Sequence, residues 1–223
     1  MLLVIDKVLT AQELAHIRGK LATARFGDGR VTAGELASQA KHNLQLPEGE
    51  AETRALARLV IEALQRNPLF VSAALPRTVY PPLFNRYLPG MDFGVHVDNA
   101  IRLGAATLRT DVSGTLFLSE PEEYEGGALI VEDTFGTQRV KLRAGDLGLY
   151  PSTSLHRVEP VTAGERNAAV FWVQSLVRDD GRRSLLLQLD GTVRSLRQRA
   201  PDSPEIAPLV ACYHNLLRLW AEL

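Results

Sequence analysis

Residues 85–99 read Asn-Arg-Tyr-Leu-Pro-Gly-Met-Asp-Phe-Gly-Val-His-Val-Asp-Asn. Two short β-like runs, Leu83–Tyr87 and Phe93–Val97, stand on either side of Pro89-Gly90, a pair that favours a turn. His96 and Asp98 lie two residues apart on and just beyond the second run. On a strand, side chains at i and i+2 share a face and sit about 7 Å apart along the chain. On a helix the same two positions diverge. An imidazole and a carboxylate on one face can each give one bond to a single cation, with a third ligand from elsewhere in the chain. Taken alone, such a pair is in most proteins an ordinary surface or hydrogen-bonded pair.

The β-like character extends in both directions. From Leu75 to Leu176 further short runs follow at Arg77–Tyr80, Val112–Leu118, Ala128–Val131, Gln138–Leu142, Leu147–Tyr150, Arg157–Val161 and Ala168–Leu176. Pro81-Pro82, Gly126-Gly127, Gly145-Asp146 and Ala163-Gly164 punctuate them. Many short strands at this spacing indicate a sandwich or barrel rather than a parallel α/β sheet. On the run 111–119, Ser113, Thr115 and Phe117 share one face, with Val112, Gly114, Leu116 and Leu118 on the other. Trp172 reads as core, Arg109 as exposed, and the loop 99–110 as a candidate lid.

Outside this region the period changes. The first 70 residues read as helical: Thr10 and Glu13 have capping-box spacing, Thr32 and Glu35 repeat it, and Leu56, Leu59, Val60, Ala63 and Leu64 form an apolar stripe that Asn67-Pro68 breaks. Helical patterning returns over 179–199. After Ser203-Pro204, which reads as an N-cap followed by proline at the first helical position, a stripe runs from Ile206 to Trp220. The expected fold is mainly β with helical flanks: an N-terminal flank over 1–74, a core over 75–178 and a C-terminal helical extension over 179–223. The C-terminal stripe suits either a homodimer interface or an intramolecular cover.

Composition excludes several function classes. The 223 residues carry 25 basic and 26 acidic side chains, so no net field exists to collect phosphates, and neither a nucleic acid nor a membrane surface is the expected partner. One cysteine, Cys212, rules out an internal disulfide and a Cys-only metal site. No apolar run approaches the ~20 residues of a membrane helix, and Asp6 and Lys7 interrupt the apolar start, so a cytoplasmic location is expected.

Of the other four histidines, His16, His42 and His214 lie in the flanks, and His156 opens a β-like run. Two histidines and one carboxylate, leaving positions open, form the ligand set of non-haem Fe(II) oxygenases. Ten residues after His156 comes Arg166, an exposed turn residue by itself, but one whose even offset along an antiparallel path can return a guanidinium to the same cavity.

With these residues in place, the chain resembles the Fe(II)- and 2-oxoglutarate-dependent dioxygenases, and among them the bacterial PKHD-type hydroxylases related to prolyl 4-hydroxylases. The resemblance rests on Asn85-Arg-Tyr, Gly94-Val-His-Val-Asp-Asn-Ala100, Arg109-Thr-Asp-Val-Ser113, Gly126-Gly127, Ala144-Gly-Asp146, Tyr150-Pro-Ser, Leu155-His-Arg-Val158, Arg166 and Phe171-Trp-Val-Gln-Ser175, and it spans nearly the whole chain. It implies a double-stranded β-helix, or jelly-roll, core. It implies His96, Asp98 and His156 as iron ligands and Arg166 as the anchor of the distal carboxylate of 2-oxoglutarate. Tyr87 either assists that co-substrate through its hydroxyl or is a half-buried strand aromatic; both readings stand. The implied reaction consumes O2 and couples decarboxylation of 2-oxoglutarate, giving succinate and CO2, to hydroxylation of a C–H bond. Ascorbate (vitamin C) is the implied auxiliary reductant. Related halogenases lack the carboxylate ligand, so Asp98 points to hydroxylation. The substrate is a small molecule or a peptidyl residue. Two rivals remain at this point: a cupin-like metal enzyme that does not use 2-oxoglutarate, and a non-catalytic binding module for iron and 2-oxoglutarate.

Overall fold

The computed structural model describes residues 2–32, 35–103, 107–134 and 136–223, with residues 32 and 35–37 described by backbone alone. Two antiparallel sheets make the core. In the larger, strands run in the order Leu3–Ile5, Leu147–Pro151, Val112–Phe117, Arg166–Ser175, Leu83–Tyr87, Leu44–Gln45 and Gly27–Asp28, with Pro76–Val79 also paired to Arg166–Ser175. The smaller runs Gly136–Val140, Leu129–Asp133, His156–Val158, Asp92–His96 and Lys41–His42. This is the two-sheet arrangement that alternation and turn punctuation led us to expect, and the jelly roll that the resemblance implied.

The faces of the central strands divide as their alternation requires. Val112 and Leu116 point into the main apolar cluster, where they meet Phe171 and Val173. Helices α1 (Ala11–Thr23), α3 (Ala51–Arg66) and α4 (Pro68–Ala74) supply the other side of that cluster through Ile17, Leu21, Val60, Leu64 and Phe70. Phe70 meets Phe171 edge-on, with ring centroids 6.2 Å apart. Gly114 is obligatory on this face, because a Cβ there would lie 2.3 Å from Phe171 Cζ. Ser113 and Thr115 emerge on the opposite face, toward the smaller sheet.

The flank helices begin where local chemistry dictates. Glu13 N–H donates to Thr10 Oγ1 at 3.3 Å and Thr10 N–H to Glu13 Oε2 at 2.8 Å, a reciprocal capping box. Asn67-Pro68 ends α3 and at once starts α4, since Asn67 Oδ1 accepts from the amides of Leu69 and Phe70. The side chains of the Thr32–Glu35 pair lie outside the described residues, ahead of the short helix α2 (Glu35–Ala40). Helix α5 (Asp180–Arg199) is capped by Asp179.

Three expectations are corrected. The first 70 residues are not purely helical: Leu3–Ile5, Gly27–Asp28, Lys41–His42 and Leu44–Gln45 add edge strands to the two sheets. Segments of two or three residues carry no readable alternation, so only their distant partners reveal them. The last helix, α6 (Ile206–Trp220), starts three residues beyond Ser203, because the Ser203 hydroxyl bonds the Glu205 carboxylate instead of a backbone amide. Arg109 is not a free surface residue; it binds Asp111 at 2.7 Å and Glu222 at 2.8 Å and ties the C-terminus to the sheet. The lid candidate 99–110 contains a small ladder of Ile101–Arg102 with Leu108–Arg109, and its residues 104–106 lie outside the described residues.

Candidate active site

His96 closes the strand Asp92–His96 and His156 opens the strand His156–Val158. The strands are neighbours and His156 is the register partner of His96, so the imidazoles rise from the same face side by side, with centroids 4.2 Å apart. Just beyond, the register slips, so that Val158 pairs with Phe93 and the ladder bends. Asp98 follows the end of its strand. One ligand atom each from His96, Asp98 and His156 lie within 4.8 Å of one another, and His156 Nε2 is 3.8 Å from Asp98 Oδ2.

Local hydrogen bonds aim each donor. His96 Nδ1 donates to Gly94 O at 2.8 Å and His156 Nδ1 to Ser154 O at 3.0 Å. A carbonyl can only accept, so the ring proton sits on Nδ1 and each Nε2 lone pair is left for a metal. Phe93 stacks on His96 with centroids 3.6 Å apart and fixes its ring plane. Burial, and then the neighbouring His156, hold the His96 imidazolium below its usual range, which favours the neutral ring that a metal requires. Asp98 Oδ2 accepts from Ser113 Oγ at 2.5 Å, and Ser113 Oγ lies 2.7 Å from Ser152 Oγ. The larger sheet thus orients a candidate ligand that follows a strand of the smaller one. This donor set, two imidazoles and one carboxylate with an open side, suits a divalent cation such as Fe(II).

The same cavity contains Arg166, whose side chain is 1% exposed. It is the register partner of Tyr87, and its guanidinium lies 5.0 Å from the Tyr87 ring and 5.3 Å from the Phe117 ring. Among the described residues, Arg166 Nε and Nη2 have no hydrogen-bond acceptor. A buried guanidinium without an acceptor is costly, and its planar fork matches a carboxylate. Gly127, at φ +61°, leaves room for it: a Cβ there would lie 3.0 Å from Arg166 Cδ. Tyr87 is buried rather than half-buried, and burial pushes its hydroxyl above its ordinary range. The Tyr124 hydroxyl is likewise buried near Arg166, and burial pushes it above its ordinary range. Burial and the charge of Asp98 push the Tyr150 hydroxyl up as well.

The sequence-predicted residues His96, Asp98, His156, Arg166 and Tyr87 therefore line one cavity of about 840 Å³ including its open mouth. His42 lies apart, bonded to Asp92 at 2.9 Å. Trp172, expected in the core, is half-buried: it packs on the buried cluster of Tyr80, Leu83 and Leu108, edge-on to Tyr80 at 5.9 Å, and also lines the cavity. Sequence reasoning missed the Ser113–Ser152 pair. Its available signal was a hydroxyl on the cavity-facing side of an otherwise apolar buried strand.

Residues 82–174 match the 2OG-Fe(II) oxygenase superfamily, and residues 180–222 match the PKHD-type hydroxylase C-terminal domain. A PKHD-type hydroxylase of Gluconobacter oxydans is 56% identical over 227 residues, all of both chains. The chain belongs to the PKHD-type hydroxylases. This PKHD-type hydroxylase is thus an iron- and 2-oxoglutarate-dependent oxygenase by family. Its fold is also that of a Trichoplax adhaerens prolyl hydroxylase solved with a hypoxia-inducible-factor peptide (TM-score 0.58, 17% identity, 82% of this chain and 86% of that one). HygX of Streptomyces hygroscopicus, solved with nickel and 2-oxoglutarate, gives a TM-score of 0.54 at 14% identity over 78% and 82% of the chains.

Proposed function

We propose that His96, Asp98 and His156 hold the ferrous ion of this hydroxylase and that Arg166 grips the distal carboxylate of 2-oxoglutarate. The observation that carries this is the buried Arg166 guanidinium, two of whose nitrogens have no acceptor among the described residues, in the same cavity as the three candidate ligands. When bound, iron supplies the oxidising chemistry that couples 2-oxoglutarate decarboxylation to C–H hydroxylation. The chain's own contribution is orientation and exclusion. The Gly94 and Ser154 carbonyls set the two imidazoles, Ser113 sets Asp98, and Tyr87 and Phe117 wall the co-substrate pocket against water. The Tyr87 hydroxyl donates to the same carboxylate, which is supported by its burial and by a ring that lies 5.0 Å from the Arg166 guanidinium. A cupin-like enzyme without a keto-acid would leave Arg166 buried with no counter-charge.

Three further readings accompany this one. Ascorbate serves as auxiliary reductant, which the ferrous chemistry of the family supports. The stripe residues Tyr213, Leu217 and Trp220 pack on Leu75, Val177 and Leu186 of the same chain, so a second copy pairs through the outer faces of α5 and α6, where Leu185 and Leu219 are 55% and 76% exposed. The protein works in a reducing compartment such as the cytoplasm, in keeping with an exposed free Cys212; no helix among the described residues is long and apolar enough to cross a membrane.

The test is succinate formation from 2-oxoglutarate by the full chain. Activity should vanish on chelation, return on adding Fe(II), and be absent in Asp98→Ala and His156→Ala. Undiminished succinate in Asp98→Ala would overturn the assignment.

A further inference from the structure

Ser113 and Thr115 stand two residues apart on the cavity-facing side of the strand Val112–Phe117, and their hydroxyls are used differently. Ser113 Oγ lies 2.5 Å from Asp98 Oδ2 and 2.7 Å from Ser152 Oγ. Thr115 Oγ1 has one side-chain partner among the described residues, the Tyr150 hydroxyl at 3.5 Å, and that hydroxyl has no other. A hydroxyl–oxygen bond is normally about 2.7 Å long, so this contact satisfies neither group. Both side chains are buried, Thr115 at 2% and Tyr150 at 4% exposure. A buried hydroxyl left in this state is costly unless a ligand completes it. We infer that the Tyr150 hydroxyl is a hydrogen-bond donor to bound 2-oxoglutarate, along the stretch of the co-substrate between Arg166 and the metal; the inference rests on the proposed roles of Arg166 and the three ligands.

The position of the phenol carries this. Tyr150 is the register partner of Ser113, which holds Asp98, but its hydroxyl reaches to Thr115, the next cavity-facing position. From Ser113 through Thr115 to Phe117 the strand runs away from Asp98 and toward Arg166, since Phe117 pairs with Ala168, two residues from Arg166. The Tyr150 ring centroid is 5.0 Å from that of His156. The same ring packs in one buried cluster with Phe117, whose own ring is 5.3 Å from the Arg166 guanidinium. One rigid ring therefore reaches from the metal ligands toward the guanidinium, in the wall that they share. A dicarboxylate anchored at both ends passes this wall, and it carries more acceptor sites than one guanidinium fills. The phenol is suited to fill another. Burial, and then the charge of Asp98, push its hydroxyl above its ordinary range, so it keeps its proton and donates. Packing against Phe117, Leu129 and Val131 fixes the ring, so little freedom is lost when the bond forms.

The test is an anaerobic titration of 2-oxoglutarate into the full-length, Fe(II)-loaded protein, read by its visible absorption band, with thermal unfolding of the ligand-free protein alongside. Tyr150→Phe keeps the ring and removes only the hydroxyl. Its half-saturating 2-oxoglutarate concentration should rise about tenfold or more, the discrimination that one hydrogen bond to a charged group supplies. Its ligand-free thermal midpoint should equal or exceed that of the wild type, because no satisfied bond is lost. A hydroxyl that serves the fold gives the reverse pattern. A clear drop in the midpoint, or failure of the variant to fold, would therefore make the hydroxyl structural and overturn the inference. An unchanged half-saturation would overturn it as well, whatever the midpoint does. A wild-type band together with an unshifted Tyr150→Phe titration strikes this inference alone. No band in the wild type with iron bound would bring down the iron and 2-oxoglutarate reading, and this inference with it.

Discussion

Arg66 on α3 and Arg166 inside the roll meet their surroundings in opposite ways. Arg66 donates to both oxygens of Glu13 on α1, and the two side chains keep 45% and 21% of their exposure. Arg166 is 1% exposed, and two of its nitrogens lack an acceptor among the described residues. An exposed pair has its charges matched and solvated, and contributes about 0–1 kcal/mol. A buried cation without its partner is a standing cost, tolerated where a ligand supplies the missing charge. The helical flank is built to stay as it is, whereas the cavity is built to be completed.

The strongest way to break this contrast is at the proposed metal ligands. His96→Ala, Asp98→Ala and His156→Ala should each abolish iron binding, as read by metal analysis after desalting, and with it succinate formation. Next comes Arg166→Gln, which should weaken 2-oxoglutarate binding about a hundredfold, the roughly 3 kcal/mol of a charge-assisted bidentate contact. A companion, Arg166→Met, sharpens the comparison: in ligand-free protein its thermal midpoint should equal or exceed that of the wild type, because an apolar side chain removes a buried unmatched charge. A clear drop in that midpoint would mean that Arg166 is structural. Ser113→Ala should lower Fe(II) affinity about 10- to 100-fold by freeing the Asp98 carboxylate, with folding retained.

The smallest effect lies in the flank. Arg66 holds the Glu13 carboxyl down at about 2, against an ordinary 4.5. A depressed acid contributes stability above its unfolded value and loses it as pH falls through the folded value. Glu13→Gln should therefore cost under about 1 kcal/mol at neutral pH in urea unfolding. Its gap to the wild type should close as pH drops from 4.5 toward 2. A gap that stays constant over that window would exclude the ion pair as its cause.

The legibility of the chain follows the same division. Strands such as Leu83–Tyr87, Val112–Phe117 and Leu147–Pro151 were readable because alternation and turn residues are local properties. The His-x-Asp pair was readable from its spacing only together with His156 and Arg166, since Asp98 itself lies just past the end of the strand Asp92–His96. Leu3–Ile5 and Lys41–His42 were not, since each is defined by a partner far away in the sequence. Ser113 looked like any hydroxyl on a buried strand until Asp98 was placed 2.5 Å from it. Trp172 was legible as a core residue but not as a cavity wall, because the two have the same sequence pattern.

The central claim is that one cavity holds a metal at His96, Asp98 and His156 and 2-oxoglutarate at Arg166. The most direct test adds Fe(II) and then 2-oxoglutarate to the metal-free protein without oxygen and records the visible spectrum. The account predicts a weak charge-transfer band that needs both additions, disappears in His156→Ala, and in Arg166→Gln requires far more 2-oxoglutarate. No band with iron demonstrably bound, or a band that titrates identically in Arg166→Gln, would contradict it.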